Sequence, residues 1–378
     1  MNKFLFLFFS LLLLISTYSL TQYTDLIISN PELKNKLKPY KINTHHLHQL
    51  ARFISKKTQH LQHIEVIKYS IKTRRENAKP IKIAQFTDLH YDAFEDPPTL
   101  PQHLENEMIQ KILEEKPDYV LITGDFVHGE VIHSSRGIVN DILKPMKIAL
   151  QQIHNDTKQR IYSVFGNHDL HTGQRHFLKQ VLEYGNMTVV LDNEYYYDED
   201  NDIVIIGLPD YHKDDFNPVR LANLISKNPK ITNNSTHIVM SHVPDSASCL
   251  IEKQGKIPKY ENCKGVQTDV LLTGHTHAGQ FKIFGWSIVQ FIFQKLPESV
   301  IQFLLKSMKF KNPIDNWDWN EGMFETNENN HLVPLLESHR QTMSLREGKS
   351  FFNINRGVGG HFGIRLACQP EMTLLEFD

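Results

Sequence analysis

Five short apolar runs in this chain each stop at residues that can ligate a metal ion. Tyr119-Val120-Leu121-Ile122 leads into Thr123-Gly124-Asp125, and Ile83 to Thr87 into Asp88-Leu89-His90. Ile161 to Phe165 leads into Gly166-Asn167-His168-Asp169, His237 to Ser241 into His242, and Val270 to Thr273 into Gly274-His275-Thr276-His277. Runs of this length read as buried strands. One Gly-Asp after a strand is an ordinary turn in which glycine admits a close approach. Five such endings in one chain place a metal site along the ends of one sheet, where open α/β sheets carry their ligands.

The intervening sequence supplies helices. Leu104, Met108 and Ile112 recur at helical spacing and stop before Pro117. Ile138, Ile142, Met146, Leu150 and Ile153 form a second stripe, and Phe177, Val181 and Tyr184 a third. Ile203 to Ile206 reads as a further strand and Leu221 to Ile225 as a short helix. Strand and helix alternate, so the class is α/β, and right-handed crossovers bring the strand ends to one edge. With 378 residues, 40% of them hydrophobic, the chain can build a sizeable core.

Outside this repeat the sequence divides into distinct parts. Residues 1–22 open with Lys3, then run apolar from Phe4 to Ile15, with small residues to Ser19. This is a secretory signal cleaved near Ser19 or an uncleaved signal anchor. Residues 23–62 form an N-terminal helical segment, with Leu47, Leu50, Ile54 and Leu61 at helical spacing after Thr44. The main domain spans 63–378, beginning with a strand at Ile64 to Thr73. An insertion at about 285–350 holds two apolar stripes around Pro297, a packed helical hairpin or else a lid or membrane-resting face over 288–310. Asn312 to Ser350 reads as polar loop anchored by Trp317 and Trp319. Phe351 to Asn355 and Met372 to Phe377 close the chain as strands around a Gly-rich turn at Arg356.

Acceptor triplets for N-glycosylation begin at Asn155, Asn186, Asn233 and Asn234, in keeping with a secretory route. In an oxidising compartment Cys249 and Cys263 can close a small loop and leave Cys368 over; otherwise all three are isolated thiols. A net charge of −2 without a basic block gives no footprint for nucleic acid.

Carboxylate, imidazole and amide oxygen together suit Mn, Fe or Zn. Asp88, His90, Asp125, Asn167, His242, His275 and His277 are too many for one tetrahedral ion. They suffice for two ions sharing a carboxylate. Such a pair clamps the attacking and departing oxygens of a displacement at phosphorus and supplies hydroxide near neutral pH.

The series Asp-x-His, Gly-Asp, Gly-Asn-His-Asp, His and Gly-His-x-His, in this order, resembles the calcineurin-like metallophosphoesterases over about 64–378. The stretch Gly274 to Gln280 is similar to the Gly-His-Thr-His-Gly-Gly-Gln motif of one branch, with Ala278 in place of a glycine. The resemblance implies a four-layer α/β/β/α sandwich. It implies one metal at Asp88, His90 and His277, a second at Asn167, His242 and His275, and Asp125 between them. His168 matches the family's catalytic histidine, which protonates the leaving oxygen or steadies the phosphate; Asp169 is the candidate to orient it. Arg356 is a candidate for a phosphate oxygen or a plain surface charge. The substrate implied is a phosphate ester, with phosphodiesterase activity favoured by the branch over phosphomonoesterase. The rival readings are a non-catalytic scaffold on this fold and a metal-storage protein, which would not need Gly-Asn-His-Asp.

His90 is absent from purple acid phosphatases. At position 128 they carry a metal-binding Tyr and the Ser/Thr phosphatases an Asp, where this chain has His128. His128 reads as a residue backing the ligands or, the favoured reading, as a loop residue, and His133, His171 and His361 read as surface or structural residues.

Overall fold

The computed structural model describes residues 58–74, 79–91, 100–128, 148, 160–183, 188–211, 215–252, 266–280, 282–283, 286–287, 290, 294, 314, 316–341, 343–360, 365 and 367–378. The leader, most of the N-terminal helical segment, the 138–153 stripe, most of 288–310, His133, His361 and Cys263 lie outside the described residues.

Two seven-stranded sheets carry the fold. One runs, neighbour to neighbour, Met343–Ser344, Glu65–Lys72, Glu371–Phe377, Ile81–Phe86, Tyr119–Ile122, Arg160–Ser163 and Val189–Val190. The other runs Leu332–Pro334, Gly322–Thr326, Phe351–Ile354, Val270–Thr273, Thr236–Met240, Ile203–Gly207 and Glu194–Asp198. Ile81–Phe86, Tyr119–Ile122 and Arg160–Ser163 pair in parallel, as do Val270–Thr273, Thr236–Met240 and Ile203–Gly207. All five strands that carry candidate ligands therefore point the same way within their sheets.

Alternation along these strands builds three cores. Ile83, Leu121 and Tyr162 of the first sheet meet Ile205, Ile238, Leu272 and Phe351 of the second in a shared central core. Their neighbours Ala84, Val120, Ile122 and Ile161 turn the other way, onto Leu104, Met108 and Ile112 of helix Gln102–Glu115 and Leu178 and Val181 of helix Arg175–Glu183. Val204, Val239 and Leu271 turn outward in the second sheet, onto Leu221 and Ile225 of helix Pro218–Ile225 and Ala247 of helix Ser246–Leu250. Helix, sheet, sheet and helix make the four-layer α/β/β/α sandwich. The inner strands Tyr119–Ile122, Ile203–Gly207, Thr236–Met240 and Val270–Thr273 are buried throughout and largely apolar on both faces, because both faces are covered.

Between the sheets, beneath the ligand-bearing turns, lies a buried polar network. Gln85 donates to the Thr273 carbonyl at 2.9 Å and accepts from Asn353 at 2.8 Å. Asn353 and Asn355 both donate to the Thr373 hydroxyl at 3.0 Å.

The expected loop from Asn312 to Ser350 is corrected. Its described residues include strands Gly322–Thr326, Leu332–Pro334 and Met343–Ser344. Met323 packs in the central core while Phe324 faces the outer one, so this strand too is covered on both sides. Trp317 and Trp319 are buried in the outer core, as anchors should be. Cys249 is disulfide-bonded and Cys368 is a free, buried thiol.

Candidate metal centre

Every one of the five runs delivers its polar residues to one cleft, where the carboxyl ends of the two sheets meet. Asp88 and His90 follow strand Ile81–Phe86, and Asp125 follows its neighbour Tyr119–Ile122. Asn167 opens the short helix Asn167–His171 just past Arg160–Ser163. His242 follows Thr236–Met240; His275 and His277 follow Val270–Thr273. Backbone bonds splice the turns: Asp88 N donates to Gly124 O at 3.0 Å, His90 N to Asp125 O at 2.9 Å and Gly274 N to His242 O at 2.9 Å. Two contacts cross from sheet to sheet, His242 Nδ1 to Thr123 O at 2.8 Å and His275 N to Asp88 Oδ2 at 2.9 Å. Gly166 is required by proximity, since a Cβ there would sit 2.1 Å from Asp125 Oδ1.

Five of the candidate ligands hold left-handed backbone: Asp88 (φ 54°), His90 (49°), Asp125 (53°), His275 (72°) and His277 (51°). Each costs roughly 1–3 kcal/mol in a non-glycine residue and persists only where surrounding structure enforces it. The strain turns the side chains inward together, where straight strand continuations would splay them.

Among the described residues three groups of ligand atoms each lie within 4.8 Å of one another: Asp88–His90–His277 and Asp125–His242–His275, made of candidate ligands alone, and His90–His128–His168. In the first, His90 Nε2 and His277 Nε2 lie 3.0 Å apart, and 3.5 and 3.3 Å from Asp88 Oδ1. In the second, His242 Nε2 lies 3.1 Å from Asp125 Oδ2, 3.1 Å from Asn167 Oδ1 and 3.2 Å from His275 Nδ1. Asp125 Oδ2 is also 3.7 Å from His90 Nε2, so it lies between the groups.

This donor set fits cations. Asp88 Oδ1 is buried and makes no hydrogen bond, a costly state unless a charge satisfies it. Burial alone would raise the pKa of Asp88 and Asp125, yet His277 and His90 around the first, and His242 and His168 around the second, hold both below the usual range. Burial alone would lower His242; Asp125 outweighs it and pushes His242 up to about 10. A proton there plays the part of a cation, and a metal ion at the same point would displace it.

His168 is buried at the rim of the same cleft. Its backbone N–H donates to Asp125 Oδ1 at 2.8 Å, and its ring meets His90 edge-on with centroids 4.9 Å apart. Burial, with His90, His128 and His171 nearby, holds its pKa well below the ordinary imidazole value, against Asp125. Asp169 spends both oxygens on backbone: Oδ1 accepts from Phe126 N at 2.9 Å and Val127 N at 3.1 Å, and Oδ2 from Gly166 N at 2.9 Å. It staples the Asp125 turn to the Asn167 turn and thereby sets His168 through the main chain. Burial and then Asp125 raise its pKa to about 7, opposed by those amides.

His128, for which the sequence favours a loop reading over a place behind the ligands, is buried in the cleft and stacks on His168 with centroids 4.9 Å apart. The reason is the bridge between Tyr91 and Val127, which folds the loop after Asp125 back over His90. Arg356 is placed otherwise than a phosphate contact requires. Its Nε donates to Glu371 Oε2 at 2.7 Å and its Nη2 to Glu65 Oε2 at 2.6 Å. The arginine that reaches the ligands is Arg365, 3.2 Å from His277 Nδ1, which no spacing in the sequence marks.

The sequence model of the calcineurin-like phosphoesterase family matches residues 81–279, and the chain belongs to that family. All seven candidate ligands lie within the matched stretch. The chain is therefore a hydrolase of phosphate ester bonds. It is 24% identical over 318 residues to phosphodiesterase YaeI of Escherichia coli K12, covering 82% of this chain and 87% of the relative. It is 28% identical over 207 residues to the uncharacterized metallophosphoesterase YkoQ of Bacillus subtilis 168, covering 53% of this chain and 63% of the relative.

Proposed function

We propose that this protein is a two-metal phosphodiesterase. The observation that carries the reading is Asp125 Oδ2, 3.1 Å from His242 Nε2 in one ligand group and 3.7 Å from His90 Nε2 in the other. Asp88, His90 and His277 would hold one ion, Asn167, His242 and His275 the second, with Asp125 shared. Mn, Fe or Zn fits these donors, and when bound the pair supplies Lewis-acid activation of the phosphoryl group and of water. The chain's own contribution is orientation. Strained turns pre-set the ligands, so that no reorganisation is needed at the moment of reaction. His168, fixed by its N–H on Asp125 and backed by His128, offers a ring N–H to the leaving oxygen.

The diester preference is supported by the relative named a phosphodiesterase, which this chain matches over most of both lengths. Its test is hydrolysis of bis(p-nitrophenyl) phosphate against p-nitrophenyl phosphate by the metal-stripped protein with Mn, Zn, Fe or Mg restored. Metal-dependent turnover favouring the diester is expected. A preference for the monoester overturns the diester assignment, and no turnover with two ions bound returns the scaffold reading. A secretory location is supported by the disulfide at Cys249 and by exposed Asn233 and Asn234. A mass decrease on enzymatic deglycosylation of the native protein is the expected check.

A further inference from the structure

We infer that Arg365 is a positioning residue for one of the two metal positions, acting through His277. The inference rests on the two-ion reading and concerns the group Asp88–His90–His277 alone. Arg365 is buried and lies well beyond the stretch that the family model matches. Its Nη2 donates to Arg356 O at 2.7 Å and to Gly359 O, and its Nε donates to Gly359 O at 3.0 Å. With the guanidinium pinned in this way, Nη2 stands 3.2 Å from His277 Nδ1. A guanidinium has donors only, and the two hydrogens of Nη2 are shared among Arg356 O, Gly359 O and His277 Nδ1, the Gly359 carbonyl being held by Nε as well. In that contact Nδ1 accepts, and Nε2 is left turned to Asp88 and His90.

The same short segment grips the main chain of that residue. The Cys368 thiol lies 3.6 Å from the His277 carbonyl, and Arg365 Nη1 lies 3.9 Å from the Cys368 sulfur. Ring and backbone of one ligand are therefore held from one side, and His277 is among the residues whose left-handed φ needs such holding. The Gly357–Gly359 turn, next to the carbonyls that hold Arg365, is itself seated on the Asp88 turn. Val358 N donates to Thr87 O at 3.0 Å and Gly359 N to Asp88 O at 2.8 Å. At Gly357, φ is 77° and an added Cβ would lie 2.7 Å from that of Asp88. The other group is braced differently, by His242 Nδ1 on Thr123 O, from within the matched stretch. The two metal positions are thus supported by separate parts of the chain, and one of them depends on its C-terminal turn.

The partner on the second nitrogen of a ligating imidazole fixes ring orientation, and losing it weakens metal binding roughly 10–100-fold. The test titrates the full, metal-stripped chain with cobalt(II), reading d–d absorption and the ions retained after gel filtration. Wild type should hold two ions. Arg365→Gln should hold one as wild type does and the other roughly 10–100-fold more weakly. The band it loses should be the one absent from His277→Ala, not the one absent from His242→Ala. Arg365→Lys, which keeps the charge and a donor but not the fork, should recover part of the loss. Circular dichroism reports folding; if the glutamine variant does not fold, the lysine variant carries the test with the same sign. Two ions at wild-type affinity in whichever variant folds, or equal weakening of both, overturns the inference. Fewer than two ions in wild type overturns the two-ion reading instead.

Discussion

The two ends of the ligand-bearing strands both bury an aspartate beside a histidine, and they resolve the burial in opposite ways. At the start of Val270–Thr273, Asp269 accepts from Arg74 Nη1 at 2.8 Å and Nη2 at 2.6 Å, and from His237 N at 2.8 Å. The cluster is closed, because every charge finds its counterpart within the chain. At the far end of the same strands, Asp88 and Asp125 face imidazole nitrogens that also face one another, and Asp88 Oδ1 accepts no hydrogen bond. That cluster is open, and something cationic must complete it. Buried Asp and His are thus no signature of function in themselves; several ligand atoms converging on one point are. Left-handed φ values cluster among the candidate ligands at the open end, and Arg74, His237 and Asp269 show none, although Lys116 and Asp202 at the opposite strand ends do.

Substitution should separate the two ends cleanly. The largest effect belongs to Asp125→Asn, which removes the carboxylate between the two groups. It should raise the barrier by about 4 kcal/mol, roughly 10³-fold in kcat/KM, if Lewis-acid activation contributes several kcal/mol. Turnover of bis(p-nitrophenyl) phosphate within tenfold of wild type would show that the open cluster is not the reacting one. His168→Ala comes next, at about 10²-fold in kcat with metal content unchanged, the range of a positioned proton donor. If metal is lost along with activity, His168 is instead holding Asp125 in place.

The closed end should answer in stability and not in rate. Asp269→Asn removes the charge that accepts from Arg74 and His237 N and should cost about 2–3 kcal/mol, with kcat/KM per folded molecule unchanged. The effect carries a pH signature. Burial would raise the pKa of Asp269, but His237 and Arg74 hold it below the usual carboxylate value. Its contribution is therefore complete above the unfolded value of about 4, and it fades as pH falls through the folded value. Urea midpoints of wild type and variant should differ at pH 7 and converge in acid. A gap that widens in acid would mean that the carboxylate is not the stabilising species.

The strands and their terminal ligands were legible because strands covered on both faces are written as unbroken apolar runs that stop abruptly. For the same reason the sequence concealed which face each residue takes: Val120 and Leu121 enter different cores but look alike. The strands within 312–350 were missed on length and composition. Leu332–Pro334 and Met343–Ser344 hold three and two residues, too few to show a period of two, and Gly322–Thr326 carries Met323-Phe324 between polar neighbours. His128 and Arg365 were illegible for another reason. Their places are set by contacts distant in sequence, the Tyr91–Val127 bridge for one and an approach to His277 across 88 residues for the other. Spacing rules see neighbours along a strand or helix; they do not see which turn folds over which.

Arg356 sharpens the comparison, because it belongs to the turn that seats on the metal cleft and yet pairs in the closed manner. Against burial, which alone would lower it, Glu371 and Glu65 hold its pKa above the usual guanidinium value. Its side chain is 11% exposed, and the partner carboxylates are 4% exposed at Glu371 and 47% at Glu65. A guanidinium so engaged has no fork to offer a phosphate oxygen. Arg356→Gln should therefore cost about 1 kcal/mol of stability, between the worth of an exposed pair and that of a charged hydrogen bond. KM for the diester should stay within about twofold, a change under 0.5 kcal/mol. Steady-state kinetics beside a urea melt decide the matter. A tenfold rise in KM with an unchanged melt would move Arg356 to the open end of the molecule, as a residue that leaves its carboxylates for the substrate.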